Sequence, residues 1–77
     1  MEIRIRYFGM IAEKTGCDVE QFNIDNGCVT DLLALVIDKH PKLETTDFSV
    51  AQDKIIVNDT MKLNGKEIAL LPPFSGG

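Results

Sequence analysis

The segment from Val29 to Ile37 is the feature that most restricts the fold of this chain. Apolar residues recur there at positions 29, 32, 33, 36 and 37, which is the spacing of one buried helical face. Thr30 and Asp31 occupy the predicted first turn, and Pro41 marks the predicted end because proline cannot continue a helix. A chain of 77 residues allows one domain, so this helix has to cover most of one small sheet.

The two ends of the chain alternate between apolar and polar residues, as half-buried β-strands do. The first strand is expected over residues 2–8, with an inner face formed by Ile3, Ile5 and Tyr7. Phe8 then lies on the outer face of the same strand. The last strand is expected from Glu67 to Leu71, and the alternation places Leu71 on its outer face.

The remaining segments complete an α+β arrangement. They are predicted as one or two helical turns at 9–16, a strand near 18–24, a polar loop at 42–53 and a strand at 54–58. Asn64-Gly65 marks a turn before the last strand, because both residues tolerate positive φ. If the first and last strands pair at the centre of the sheet, the result is a ubiquitin-like β-grasp fold: a mixed sheet with one main helix packed on one face.

The acidic balance of the chain argues against nucleic acids and anionic membranes as partners. The formal net charge is -4 at pH 7, and no cluster of lysine and arginine is present to neutralise phosphates. No stretch is long enough to span a bilayer, and the start of the sequence lacks the apolar run of a signal peptide. A cytoplasmic location is therefore expected.

Side chains with reactive or metal-binding chemistry are few and scattered. Cys17 and Cys28 are expected to be reduced thiols, and they do not form the close pair typical of zinc sites, so no metal site is predicted. His40 is expected to have a structural or solvent-facing role near the helix end. Four acidic residues are interpreted as solvated surface charge: Asp18, Glu20, Asp25 and Asp31. Without a glycine-rich phosphate-binding motif, the chain is expected to bind no cofactor.

The sequence ends in a short tail of unusual composition. A domain over residues 1–71 is followed by a tail over 72–77, which reads Pro72-Pro73-Phe74-Ser75-Gly76-Gly77. The prolines fix φ and lack N–H donors, so strand pairing should stop before them and the tail should be extended. Six extended residues span at most about 20 Å, enough to thread a narrow channel in another protein. An ordinary frayed terminus has a similar composition, so the tail alone leaves both interpretations open.

The carboxylate of Gly77 is the candidate reactive group. A carboxylate is a poor electrophile at neutral pH, but transfer of AMP from ATP makes it an acyl adenylate. A sulfur nucleophile can then displace AMP and leave a thiocarboxylate. Gly76 and Gly77 suit this chemistry because neither has a Cβ that would block the approach of a phosphate or a sulfur atom.

The ending LNGKEIALLPPFSGG resembles that of the small, sulfur-carrying subunits of molybdopterin synthase. Further matches to this family are the segments RYFGMIAEKTG, VTDLLALVIDKHP and IIVND, so the resemblance covers essentially the whole chain. The ending Pro-Pro-x-x-Gly-Gly is its specific part. The β-grasp pattern itself is shared by many unrelated carriers.

The resemblance implies a sulfur carrier whose catalytic site belongs to another protein. An ATP-dependent, E1-like enzyme would adenylate Gly77, and sulfur from a persulfide donor would convert it to the thiocarboxylate. The tail, Pro72 to Ser75, would insert into the large synthase subunit and deliver sulfur to cyclic pyranopterin monophosphate for molybdenum cofactor biosynthesis. The implied assembly is a heterotetramer. The docking positions that the resemblance implies are Phe8, Met61 and Leu71.

Three alternatives remain open at the level of sequence. Carriers that supply sulfur for thiamine thiazole or for cysteine synthesis also end in Gly-Gly. A ubiquitin-like modifier would instead form isopeptide bonds to lysine side chains. A plain binding module would keep its function after loss of Gly77.

Overall fold

The structure, a computed structural model, describes residues 1–25 and 27–73. Its strands are β1 (Glu2–Tyr7), β2 (Val19–Asn23), β3 (Ser49–Gln52), β4 (Ile55–Val57) and β5 (Ile68–Leu71). Its helices are α1 (Met10–Thr15), α2 (Val29–Lys39) and a short 3-10 helix over Pro41–Thr45. None of the helices in these ranges has the length and apolar character needed to cross a membrane.

The strands form one mixed sheet in the order β2-β1-β5-β3-β4. The first and last strands are neighbours at its centre and run parallel, with Ile5 opposite Ile68 and Tyr7 opposite Leu70. The other neighbouring pairs, β1–β2, β3–β4 and β3–β5, are antiparallel. This arrangement confirms the predicted β-grasp fold, with its mixed sheet and one main helix.

One face of the sheet, here called the covered face, packs against the helices. Ile3, Ile5 and Tyr7 of β1 point to this face and are buried, as the alternation predicts. Residues 29, 32 and 36 of α2 join them in the same core, and residues 33 and 37 are partly buried beside it. The opposite side of the sheet, here called the open face, carries Arg4 and Arg6 of β1, both exposed.

The segment predicted as a polar loop over 42–53 is where the sequence interpretation is wrong. It contains most of the 3-10 helix over Pro41–Thr45, which buries Leu43, and the whole of β3. The strand predicted at 54–58 shortens to β4, because Lys54 belongs to the tight turn between β3 and β4. Asp53 and Lys54 have φ of 52° and 69°, the left-handed pair that a two-residue hairpin turn requires.

The connection between β4 and β5 is held by separate backbone and side-chain hydrogen bonds and not by a ladder of strands. Lys62 forms only an isolated bridge with Cys28. The buried Gln52 side chain donates to the carbonyl oxygen of Lys62 at 3.0 Å and accepts from the N–H of Asn64 at 3.0 Å. Because both ends of this amide are satisfied, Gln52 is buried without an unpaired polar atom, and Leu63 can enter the core between its two partners.

The helix ends follow the sequence signals. Gly16 ends α1 with φ 79° and ψ 12°, a left-handed conformation that glycine adopts readily. At the start of α2, the Cys28 N–H donates to Oδ2 of Asp31 at 2.9 Å. This backbone hydrogen bond, with a second contact from the Cys28 thiol, lowers the pKa of Asp31. Asp31 therefore caps α2, although it also remains exposed as predicted.

Candidate functional site

The C-terminal segment leaves the sheet at a defined place. β5 ends at Leu71, and the half-buried Pro72 follows immediately, whereas Pro73 is exposed. The ring of Pro72 lies against the backbone of Gly9, which has φ 55° and precedes α1. A Cβ at position 9 would lie 2.9 Å from Cγ of Pro72, closer than real Cβ atoms approach a neighbour. Gly9 therefore allows the first residue of the tail to pack against the connection between β1 and α1.

Phe8 and Leu71, two of the predicted docking residues, lie at the same end of the sheet. The Phe8 N–H donates to the carbonyl oxygen of Leu70 at 3.1 Å, which places the two chain segments side by side. The Phe8 side chain is 40% exposed, and Leu71 is half-buried on the open face. An apolar surface thus lies next to the point where the tail begins.

Met61, the third predicted docking residue, is anchored elsewhere. Its carbonyl oxygen accepts a hydrogen bond from Val29 at 2.9 Å, at the start of α2. The following residue is held by Gln52, which pairs with Ile68 where β5 begins. Met61 is 45% exposed, but these anchors lie at the beginning of β5, whereas Phe8 and Leu71 lie at its end. A docking surface that includes all three must extend along the domain.

The open face also carries a charged group beside the apolar one. Nε of Arg4 and Nε of Arg6 lie 3.6 Å and 3.4 Å from the same carboxylate oxygen of Glu67. All three side chains are about half exposed, so water screens these ion pairs and their contribution to stability is small. Two cations beside one anion leave a net positive group on an otherwise acidic chain, which suits an acidic patch on a partner.

The predicted reactive end of the tail lies outside the described residues. This holds for the predicted tail-insertion residues Phe74 and Ser75 and for the predicted reactive residues Gly76 and Gly77. Within the described part of the tail, Pro72 and Pro73 have the exposure given above. The structure therefore fixes where the tail starts, and the chemistry at its end remains a prediction.

A second polar cluster lies on the covered face, at the β2 edge of the sheet. The carboxylate of Glu20 accepts hydrogen bonds from the Tyr7 hydroxyl at 2.7 Å, from Nε2 of His40 at 2.8 Å and from Nζ of Lys39 at 2.6 Å. The side chain of Glu20 is only 14% exposed. The interpretation of Glu20 as solvated surface charge is therefore wrong, because β2 turns this residue toward the end of α2.

The pKa values in this cluster follow from its hydrogen bonds. Burial alone would raise the pKa of Glu20, but the hydrogen bonds from Lys39, His40 and Tyr7 outweigh it and lower the pKa from 4.5 to about 2. Burial raises the pKa of the Tyr7 hydroxyl, and its hydrogen bond to Glu20 raises that pKa further. At neutral pH, Glu20 is therefore a carboxylate and Tyr7 a protonated donor. The expected structural role of His40 agrees with its contacts, including an edge-on approach to the Tyr7 ring at 5.9 Å.

Two features of these sites escaped the sequence interpretation. Gly9 could have been noticed as a glycine between a strand and a helix, but its contact with Pro72 joins residues 63 positions apart. The contact between Glu20 and His40 spans 20 positions, and no spacing rule connects a strand residue with a helix end at that distance. Among the described residues, a further neighbour of this cluster, Cys17, makes it the one group of three side chains suited to a metal ion.

A central parallel pair of first and last strands, covered by one helix and continued by a C-terminal tail, defines a ubiquitin-like β-grasp protein. Solved structures agree with this fold. A putative molybdopterin converting factor subunit 1 from Pyrococcus furiosus superposes with a TM-score of 0.88, at 21% identity, over 96% of this chain and 99% of that one. SAMP1 from Haloferax volcanii, a small archaeal modifier protein, superposes with a TM-score of 0.85, at 25% identity, over 100% of both chains.

The chain belongs to the ThiS family, which it matches over residues 5–77. It is 36% identical over 83 aligned positions to the molybdopterin synthase sulfur carrier subunit of Chlamydomonas reinhardtii, with 100% of both chains covered. It is also similar to a chain in the complex of subunits 1 and 2 of the molybdopterin-converting factor from Helicobacter pylori 26695. That similarity is 30% identity with a TM-score of 0.66, over 100% of both chains.

Proposed function

We propose that this chain is the sulfur carrier, that is the small subunit, of a molybdopterin synthase. The observation that carries the proposal is the 36% identity to a molybdopterin synthase sulfur carrier subunit over the full length of both chains. The match includes the segment that ends in Gly76-Gly77, where a carrier holds its cargo. The Pro72–Gly9 contact supports the proposal because it fixes the point at which the tail begins.

The proposed chemistry takes place at the carboxylate of Gly77. In the first step an oxygen of this carboxylate attacks the α-phosphate of ATP, which is bound by an E1-like partner, and pyrophosphate leaves. In the second step a persulfide sulfur attacks the acyl carbon and AMP leaves with the bonding electrons. Reductive cleavage of the resulting S–S bond by a thiol then gives the thiocarboxylate. This chain contributes the acyl group, and the partner binds the nucleotide.

The thiocarboxylate then delivers its sulfur inside a second partner, the large synthase subunit. In each transfer the sulfur becomes bonded to cyclic pyranopterin monophosphate, and water attacks the acyl carbon, breaks its C–S bond and regenerates the carboxylate of Gly77; two transfers complete the dithiolene of molybdopterin. The complex of subunits 1 and 2 of the Helicobacter pylori factor supports a partner of this kind. Phe8, Leu71 and Met61 are proposed to dock it, in a heterotetramer with two copies of each subunit. We place this chemistry in the cytoplasm.

The proposal is tested by intact-mass measurement of the full chain after incubation with ATP, a sulfur source and the activating enzyme. An oxygen-to-sulfur mass increase confined to the C-terminal peptide is expected. A variant that lacks Gly77 should keep its circular dichroism spectrum but show no increase, because the tail adds little to the core. Conversion of cyclic pyranopterin monophosphate by the thiocarboxylated chain and the large subunit completes the test. Unmodified full-length protein, or modification of the deletion variant, would contradict the proposal.

A second candidate function is protein modification, which the similarity to SAMP1 favours. A modifier uses the same acyl adenylate but transfers its acyl group to a lysine side chain. Conjugates of higher mass, joined through Gly77 by isopeptide bonds, would then form with ATP and the activating enzyme. Sulfur supply for thiazole synthesis is distinguished by offering the thiocarboxylated chain to a thiazole synthase in place of the large subunit.

A further inference from the structure

The cluster at the β2 edge contains three potential metal ligands of different chemistry. Sγ of Cys17, a carboxylate oxygen of Glu20 and a ring nitrogen of His40 all lie within 4.8 Å of one another. They come from three parts of the fold: the connection after α1, strand β2 and the residue that follows α2. The side chains of His40 and Glu20 are 13% and 14% exposed, and Cys17 is also partly exposed, so the cluster borders solvent and an ion can reach it.

The donor set matches what Zn²⁺ accepts in proteins. A thiolate, an imidazole and a carboxylate are its usual ligands, at about 2.3 Å for sulfur and about 2.0–2.2 Å for nitrogen and oxygen. Tetrahedral geometry with these bond lengths separates the ligand atoms by roughly 3.3–3.6 Å. The His40–Glu20 pair, now 2.8 Å apart, would open slightly, while the more distant pairs would close. Changes of about 1 Å can be made by small side-chain rotations at a site that borders solvent.

The carboxylate of Glu20 already binds a positively charged group. Glu20 holds the Lys39 ammonium on Oε2 and Nε2 of His40 on Oε1. The Lys39 side chain is 56% exposed, so it can turn to water when a divalent ion replaces it as the main partner of the carboxylate. Tyr7 already donates to the same carboxylate, and such an outer hydrogen bond orients a metal ligand.

The second cysteine provides an internal comparison. Sγ of Cys28 lies 3.4 Å from a carboxylate oxygen of Asp31, so it also has an acidic neighbour. No group of three metal ligands forms around it within residues 1–25 and 27–73. The two thiols therefore differ in having or lacking a nearby imidazole, and this difference makes Cys28 the matched control for Cys17.

We propose that Cys17, Glu20 and His40 form a binding site for Zn²⁺, with water as the fourth ligand. In the bound form, the Cys17 thiol has released its proton to solvent, and the imidazole proton of His40 is on Nδ1 while Nε2 binds the ion. The site would join β2 to the end of α2. It departs from the expectation that the chain holds no metal, and it is independent of the sulfur chemistry proposed for Gly77.

The proposal is tested by titrating the metal-free full chain with Co²⁺, which reports tetrahedral thiolate coordination by visible absorption, and then displacing Co²⁺ with Zn²⁺. One Co²⁺ per chain is expected, with a sulfur-to-cobalt charge-transfer band. Cys17→Ser and His40→Gln should weaken binding by more than about 100-fold, since losing an outer-shell partner alone costs roughly 10–100-fold. Cys28→Ser should bind Co²⁺ within about twofold of the unmodified chain, because Cys28 is not one of the proposed ligands.

The controls separate loss of the site from loss of the fold. Circular dichroism of each metal-free variant should match that of the unmodified chain, and Zn²⁺ should raise the melting temperature of the unmodified chain and of Cys28→Ser only. Absence of a tetrahedral cobalt spectrum from the unmodified chain would overturn the proposal. So would a spectrum that persists in Cys17→Ser and disappears in Cys28→Ser.

Discussion

On the covered face of the sheet, β1 and β5 contribute Ile5 and Leu70, both fully buried, whereas on the open face the same strands present Arg6 and Leu71 to water or to a partner. Neighbouring residues of one strand thus have opposite surroundings, because successive side chains of a strand point to opposite sides. The covered face therefore supplies most of the stability. The open face is free to be used for recognition.

The polar groups on the two faces also differ in their exposure to water. On the covered face, Glu20 has three hydrogen-bond donors and little exposure. On the open face, Glu67 has two arginine partners, but all of these side chains are about half exposed. Water therefore competes more strongly with the ion pairs of Glu67 than with the hydrogen bonds of Glu20. A polar residue of this domain should therefore affect stability according to the face on which it lies.

The largest expected effect comes from neighbouring leucines of β5. Leu70→Ala should lower the free energy of unfolding by about 2–5 kcal/mol, because it leaves a cavity in the core. Leu71→Ala should cost about 1 kcal/mol or less, since this side chain is only half-buried. Urea denaturation measures both. Binding of the large subunit should be weakened by Leu71→Ala, and equal stability losses in the two variants would contradict the comparison of faces.

Acid should reveal the next largest effect through Glu20. Its pKa is lowered from 4.5 to about 2 in the folded chain, so its stabilising contribution is complete above pH 4.5 and is lost as the pH falls toward 2. At about 1.4 kcal/mol per pKa unit, this contribution is at most about 3.5 kcal/mol. Glu20→Gln should be less stable than the unmodified chain at pH 7 and approach it near pH 2.

The measurement is urea denaturation of both proteins across this pH range. Glu67→Gln is the matched control, since it removes a carboxylate from the open face. Its unfolding free energy should follow that of the unmodified chain through the same pH values. A constant difference between Glu20→Gln and the unmodified chain from pH 7 to pH 2 would rule out the proposed role of the Glu20 cluster.

The glycines at the two ends of α1 give a smaller and more local effect. Both have positive φ, so Gly9→Ala and Gly16→Ala should each cost about 1–3 kcal/mol through backbone strain. Only Gly9 touches Pro72, and nothing lies within 4 Å of a Cβ at position 16. Gly9→Ala should therefore also slow sulfur delivery to the large subunit. Gly16→Ala should leave the delivery rate of the folded protein unchanged, and equal slowing by both would contradict a role for the Pro72 contact.

The smallest effect is expected for the ion pairs of the open face. Glu67→Gln should change the free energy of unfolding at pH 7 by about 1 kcal/mol or less, because exposed pairs contribute little. The change should shrink further in high salt, which screens exposed charges. Thermal or urea unfolding at low and high ionic strength measures it. A loss as large as that of Glu20→Gln would show that the two faces do not differ as described.

Much of the fold could be predicted because it depends on local patterns. The alternation in residues 2–8 predicted the buried face of β1, and the helical spacing from Val29 predicted the buried face of α2. β3 was missed since its four residues, Ser49–Gln52, show no alternation. Ala51 is buried on the open face between Ala69 and Ile56, and Gln52 is buried on the other face because its amide bonds the next loop.

The candidate sites also differ in whether a local sequence pattern could predict them. Phe8 and Leu71 were assigned to the outer face from alternation, and in the structure Phe8 is exposed and Leu71 half-buried at one end of the sheet. The cluster of Cys17, Glu20 and His40 could not be predicted. Each of these residues, taken alone along the chain, has an ordinary solvated or structural interpretation, and only the packing of β2 against the end of α2 brings them together.

By itself, the sequence determined the elements whose side-chain period is visible within a few residues: the central strands, the main helix and the tail that begins with two prolines. The tertiary structure alone decided how separate segments meet, including the contact of Pro72 with Gly9 and the burial of Glu20. The physical reason is the distance along the chain over which each effect acts. Alternation and helical spacing are fixed by backbone geometry between neighbours, whereas the environment of a charged side chain depends on which distant segment excludes water from it.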